Sequence, residues 1–266
     1  MGAEWLEPLM LTSLNSVMWP LCRIGGFFMT AMAFSGAAVP MRVRALISLA
    51  ITFCFLPNIP AVNTEIEAFS GLGIITTISQ VFIGAGIGFI TQYLAQCFVL
   101  AGQAVAMQTG LGFASLVDPV SGTNAPVVGQ FFTVLTTLVF FAVDGHLVFI
   151  RLLLLSFETL PIAPGAFTPP HLTGIIYFGA LMFQSALSMS ISAICALLVI
   201  NFTFGVMTRA APQLNVFSMG FAISMTTGLF VLMLSLNSYM NNFTIAINEL
   251  MSSTCTLIGT ECEGIF

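Results

Sequence analysis

The chain contains no lysine; its five basic residues are all arginine, at Arg23, Arg42, Arg44, Arg151 and Arg209. A P-loop phosphate site and a Schiff base both need a primary amine on a side chain, so ATP hydrolysis and imine chemistry are excluded together. Histidine is almost as scarce, with only His146 and His171. Neither belongs to an H-E-x-x-H pair and no serine stands in a G-x-S-x-G elbow, so intramembrane proteolysis has no machinery here and no enzyme is expected. Charge of either sign is thin: 6% of residues are charged against 58% hydrophobic, too few to cover one large soluble domain or two small ones. Lipid or other apolar helices must cover the surface instead. The net charge of −5 argues against a nucleic-acid partner. Close cysteine pairs are also missing, so neither a zinc site nor a disulfide framework is expected. Of the six cysteines, Cys22, Cys54, Cys97 and Cys195 lie in apolar sequence as small packing residues, while Cys255 and Cys262 sit in a more polar tail and could pair.

What is present is long apolar sequence. The stretches 68–117 and 159–208 hold no charged residue. Each is about fifty residues, on the order of 75 Å as helix against a hydrocarbon core of ~30 Å. Each therefore holds two spans, or one long helix that continues into other protein. Runs long enough to span are Leu9 to Phe34, Ala45 to Val62, Gly71 to Met107, Val127 to Val143, Leu172 to Met207 and Leu214 to Leu250. The shorter Leu147 to Leu160 carries Arg151 and Glu158 and reads as interfacial or protein-buried. Glu4 and Glu7 stand where a cleaved signal peptide would be basic, so the first run is expected to stay in the mature protein. These features give an all-α, polytopic integral membrane protein, in one domain over residues 1–266.

Gln92, Gln96 and Gln103 fall within roughly 40° of one another on an α-helix. Asn237, Asn241, Thr244 and Asn248 repeat the pattern, and Ser185, Ser188, Ser192 and Ala196 make a stripe of small residues. Amides pointing into lipid tails would lose hydrogen bonds worth several kcal/mol, so such stripes face other helices, other subunits or a wet channel. Gly84-Ala-Gly-Ile-Gly88 has no preceding strand and no acidic residue about twenty positions on, so it is no dinucleotide site; Gly84 and Gly88 read as a close helix contact. Two sequons, at Asn201 and Asn242, lie in hydrophobic sequence and read as accidental. No cofactor and no metal are expected.

The densest ionisable set is Asp144, His146, Arg151 and Glu158. It reads as a buried ionic network, with a proton relay through Asp144 and His146 as the functional alternative. The segment from Met107 to Val128 is the most distinctive. Gly110, Gly112, Gly122, Pro119 and Pro126 forbid a continuous helix there while the residues between stay largely apolar. Irregular backbone at membrane depth survives only when buried in protein or lining a wet cavity, so the segment is a candidate gate or plug. Met107, Leu111 and Phe113 would supply a deformable apolar seal beside Asp118.

Three stretches carry a resemblance. They are Arg23 to Thr52 with Pro40, Arg42 and Arg44; Gly110 to Pro161 with Val117-Asp-Pro119, Asp144-Gly-His146 and Leu160-Pro161; and Arg209 to Phe221. In order and spacing the chain resembles the FliR family of flagellar export-gate subunits and their counterparts in virulence-type type III secretion. The resemblance implies a multi-pass protein of long helical hairpins in the bacterial inner membrane, in the flagellar basal body, assembled with FliP and FliQ beside FlhB and FlhA. Unfolded flagellar proteins would pass through the shared pore, and the loop matching Gly110 to Gly122 would form part of the closed gate. One departure is Gln80, where similar proteins often carry glutamate. Two other functions stay open on the residues alone. One is a secondary transporter of a small solute or ion using Asp144, His146 and Arg151, for which no inverted repeat is visible. The other is a purely structural scaffold.

Overall fold

The computed structural model describes residues 6–36, 39–60, 70–111, 127–164, 169–210 and 216–259. All regular structure among them is helical: α1 (Leu6–Thr30), α2 (Met32–Ser35), α3 (Met41–Phe55), α4 (Gly71–Thr109), α5 (Val127–Ala142), α6 (Gly145–Thr159), α7 (Pro169–Ala210) and α8 (Val216–Ile258). Helix satisfies every backbone group within its own segment, which is what a chain this apolar requires in lipid. The two uncharged stretches are not folded into two spans each. Most of each is one rod, because α4 and α7 run unbroken for 39 and 42 residues. At 1.5 Å per residue these are ~60 Å long, about twice the hydrocarbon core. Four helical segments are long and apolar enough to cross a membrane: Met41–Asn58, Gly71–Thr109, Thr173–Ala210 and Gly220–Ile258. The bent pair α5 and α6 makes up to a fifth.

The chain packs as two compact units. The first holds residues 1–93, 140–178 and 249–266; the second holds 94–139 and 179–248. The expectation of a single domain therefore meets a chain with two packing centres, and it passes between them inside α4, α5, α7 and α8.

In the first unit the core is built from Trp19, Ile24, Phe27 and Phe28 of α1, Ile83, Ile87 and Ile90 of α4, and Phe149, Leu152, Leu153 and Phe157 of α6. Helices α1 and α4 run in the same direction along a seam of hydrogen bonds. Trp19 Nε1 donates to Thr77 Oγ1 at 3.2 Å, Thr30 Oγ1 to the Ala85 carbonyl at 2.9 Å, and Gln92 Nε2 to the Thr30 carbonyl at 3.0 Å. A Cβ on Gly84 would overlap the Arg23 carbonyl, and one on Gly88 would overlap Thr30 Oγ1. The glycine pair thus brings two backbones into direct contact, as the sequence predicts. The first apolar run is not one rod. It breaks at Ala31, where the backbone is extended (φ −60, ψ 131), and the Met32 N–H freed by the break is taken up by Thr91 Oγ1 at 2.8 Å.

Helix α3 packs on α1 with its polarity reversed. Ser48 and Thr52 are its buried residues, while Leu46, Leu49 and Phe53 are exposed. Both inward hydroxyls bond carbonyls of their own helix, at Ala45 and Ser48. A greasy outer face on a polar inner one is the arrangement of a membrane or subunit-facing helix.

The second unit centres on an aromatic stack. The Tyr239 ring lies 4.6 Å from Phe98, 6.1 Å from Phe132 and 6.2 Å from Phe243. The Tyr239 hydroxyl donates to Thr136 Oγ1 at 2.8 Å, so the one polar atom the stack buries has a partner. Beside it Val105, Ala193 and Leu197 form a small core between α4 and α7.

Candidate functional site

The strongest buried polar cluster lies around Arg23, which is 0% exposed. Its Nε donates to Gln80 Oε1 at 2.7 Å, and Nη1 donates to the Ser156 carbonyl at 2.7 Å and to Ser156 Oγ at 3.2 Å. Nη2 donates to the Leu160 carbonyl at 2.7 Å, and the guanidinium sits 4.3 Å above the centre of the Phe157 ring. One side chain thereby ties α1, α4 and the end of α6 together. Among the described residues no carboxylate answers its charge. The negative pole of α6, whose last carbonyls point at it, and the π-face of Phe157 do so instead. Gln80 is fully buried as well, and its Nε2 has no partner. Sequence reading missed this cluster, although a lone arginine among apolar residues near Trp19 and Phe27 carried the signal.

The network expected at Asp144, His146, Arg151 and Glu158 does not close within this chain among the described residues. Asp144, Arg151 and Glu158 are exposed in this chain and His146 is only half-buried. The reason is the register of α6. It buries Phe149, Leu152, Leu153, Ser156 and Phe157, a stripe at helical spacing, and this turns Arg151 and Glu158 outward together. They share a face, as their spacing requires, but it is the outer one. Asp144 has a backbone task. It adopts the left-handed conformation (φ 54, ψ 24) at the corner where α5 and α6 bend by 70°. Its amide donates to the Phe141 carbonyl, and its own carbonyl accepts from Leu147 at 2.9 Å. His146 lies 5.0 Å from the Phe141 ring, with Nδ1 buried and unpaired. The three groups a solute site would need, Asp144, His146 and Arg151, are not joined by any hydrogen bond or ion pair among the described residues.

Of the candidate plug, Met107, Gly110 and Leu111 are described, whereas Gly112, Phe113, Asp118, Pro119 and Gly122 lie outside the described residues. Met107 is 62% exposed on the last turns of α4. The helix ends at Gly110 in the left-handed region (φ 80), with the Gly110 amide bonded to the Met107 carbonyl at 3.3 Å. Two helices distant in sequence close on this end. Asn201 Nδ2 of α7 donates to the Gln108 carbonyl at 3.1 Å, and Ser224 Oγ of α8 donates to the Thr109 carbonyl at 3.4 Å. The Phe221 ring stands 2.7 Å from where a Cβ on Gly110 would be, and a Cβ on Gly228 would overlap the Thr109 side chain.

The polar stripes divide. Gln92 is used inside the chain, bonded to the Thr30 carbonyl and to Ser35 Oγ at 2.6 Å, so it is not free for a subunit contact. Gln103 is half-buried, its Cγ 3.5 Å from the Cβ position of Gly129 on α5. Gln96 is exposed, and so are Asn237, Asn241, Thr244 and Asn248. Ser188, Ser192 and Ala196 of the small-residue stripe are exposed too. Among the described residues, no three His, Cys, Asp or Glu side chains gather to hold a metal ion. Cys255 is disulfide-bonded, while Cys262 lies outside the described residues.

Comparison with known proteins adds the family. The family described as bacterial export proteins, family 1, matches residues 14–250. The chain is 32% identical over 256 residues to the flagellar biosynthetic protein FliR of Escherichia coli (strain K12), covering 96% of this chain and 90% of that protein. It is 35% identical over 223 residues to FliR of Pectobacterium carotovorum subsp. carotovorum, 84% of this chain and 85% of that one. It is 26% identical over 247 residues to FliR of Bacillus subtilis (strain 168), 89% and 93% of the two chains.

Proposed function

The chain belongs to the bacterial export proteins, family 1, and from that premise we propose that it is a non-enzymatic subunit of the flagellar type III protein export gate in the bacterial inner membrane. The observation that carries this reading is similarity to a FliR over 96% of the chain. The outer surface supports it. In the best membrane windows of α3, α7 and α8 only 11% of residues are buried, so these helices need bilayer or sister subunits around them. FliP and FliQ are the proposed neighbours around a common pore, with FlhB and FlhA beside it and unfolded flagellar proteins as the cargo. The exposed asparagines of α8 and Gln96 of α4 are proposed as the contacts to those neighbours. The segment from Gly110 to Gly122 is the proposed plug, with Met107 and Leu111 at its root.

The test is deletion of Gly110 to Gly122 in cells that carry the complete complex. The complex should still be recovered at its normal size while the membrane becomes permeable to a small solute. A deletion complex as tight as the parent would refute the plug.

A further inference from the structure

We propose that Asn201, Ser224 and Phe221 are positioning residues that immobilise the last turn of α4, and so set the point and direction from which the chain leaves Gly110. The argument starts from helix chemistry. The last four carbonyls of a helix have no partner within it, and at membrane depth water cannot be relied on to supply one. Gln108 and Thr109 are in that position: the Gln108 carbonyl accepts from Asn201 on α7, and the Thr109 carbonyl shares the Ser224 hydroxyl of α8, at 3.4 Å, with the Phe221 carbonyl at 3.1 Å. Asparagine is an expensive residue to carry in an otherwise apolar helix, and here its amide donor has an assigned task. The apolar contacts point the same way. The Phe221 ring occupies the space beside the left-handed Gly110, and Gly228 lacks a side chain where Thr109 presses on it. Below them Val105, Ala193 and Leu197, with Ile200, Val231 and Leu232 against them, pack α4, α7 and α8 into one block. Thus α4 ends on a fixed footing at Gly110. The consequence for transport rests on the plug reading above; the footing itself does not.

The test uses the complete membrane complex, carrying Asn201→Leu together with Ser224→Ala, and reads amide hydrogen exchange by residue. Exchange at Met107 to Leu111 should speed up by about tenfold or more, the scale of losing two side-chain hydrogen bonds. Exchange at Leu94 to Ala104, in the same helix, should stay as it was. Asn201→Leu alone keeps much of the bulk but has no donor, so it should loosen the same amides. Unchanged exchange at Met107 to Leu111 in the double variant, or a tight turn in Asn201→Leu, overturns the proposal. If the double variant does not assemble, Phe221→Leu removes the ring without touching either hydrogen bond. Unchanged exchange there overturns the proposal equally. Solute leak measured on the same membranes separates the two readings. Faster exchange in these variants, with no leak on deleting Gly110 to Gly122, leaves the footing standing and removes the plug. Unchanged exchange in these variants, with leak on deleting Gly110 to Gly122, does the reverse.

Discussion

Arg23 places a full positive charge among Trp19, Phe27 and Phe157 and meets it with neutral oxygens and the face of the Phe157 ring. Its planar fork reaches three groups at once, which a lysine could not do from one nitrogen. Removing it should therefore leave the Ser156 and Leu160 carbonyls short of a donor and open a cavity between three helices. Arg23→Ala is expected to lower the stability of the purified complex by about 3 kcal/mol, with Arg23→Lys recovering little of it; thermal unfolding in detergent measures both. Gln80 offers the opposite test. Its Oε1 already accepts from Arg23 while its Nε2 finds no acceptor. Gln80→Glu replaces the unused donor with a second acceptor and gives the buried cation a counter-ion, a charge-assisted pair stronger than the present bond. The unfolding midpoint should rise, and a fall would mean that the carboxylate loses more on leaving water than Arg23 returns.

At the level of elements, the fold depends on how closely α1 and α4 approach. Gly84 stands where any side chain would strike the Arg23 carbonyl, whereas Gly25, on the same α1 helix, has open space at its Cβ position. The two sites separate packing from helix propensity. Gly84→Ala should destabilise by about 1–3 kcal/mol through overpacking, even though alanine is the better helix former. Gly25→Ala should be neutral, or stabilise by up to ~1 kcal/mol, from propensity alone. Equal effects at both sites would mean that the seam is not in backbone contact. Helix α6 shows the same logic in its faces. The stripe from Phe149 to Phe157 determines which side packs, and that choice carries Arg151 and Glu158 to the outside whatever their charge.

For the whole molecule, the open question is what covers an exterior that is both apolar and striped with amides. Asn237, Asn241 and Asn248 are exposed on α8 beside Met233, Leu234, Met240 and Ile245. Amides in that setting want partners from another chain or from water. Changing all three to leucine should leave the protein inserted in the membrane but reduce its recovery with the proposed neighbours FliP and FliQ several-fold in co-purification. Undiminished recovery would turn the stripe into a lining rather than an interface. Much of this was legible beforehand. The all-helical class, the membrane setting, the Gly84 and Gly88 contact and the family follow from composition, period and motif order, because each depends on residues near one another in sequence. Three features did not follow. The long uncharged stretches left open whether each would hold two spans or one long helix, and α4 and α7 are mostly single rods, since apolarity favours helix without fixing where helices pack. The ionisable cluster looked buried because it sits in apolar sequence, but burial was decided by which face of α6 met α1 and α4. Arg23 with Gln80, and Asn201 with Gln108, are joined across 57 and 93 positions. The sequence by itself determined that this chain is helical and must be covered by something other than water. Only the tertiary structure decided which polar groups find partners inside it, because a hydrogen bond between distant residues exists only once packing has brought them within reach.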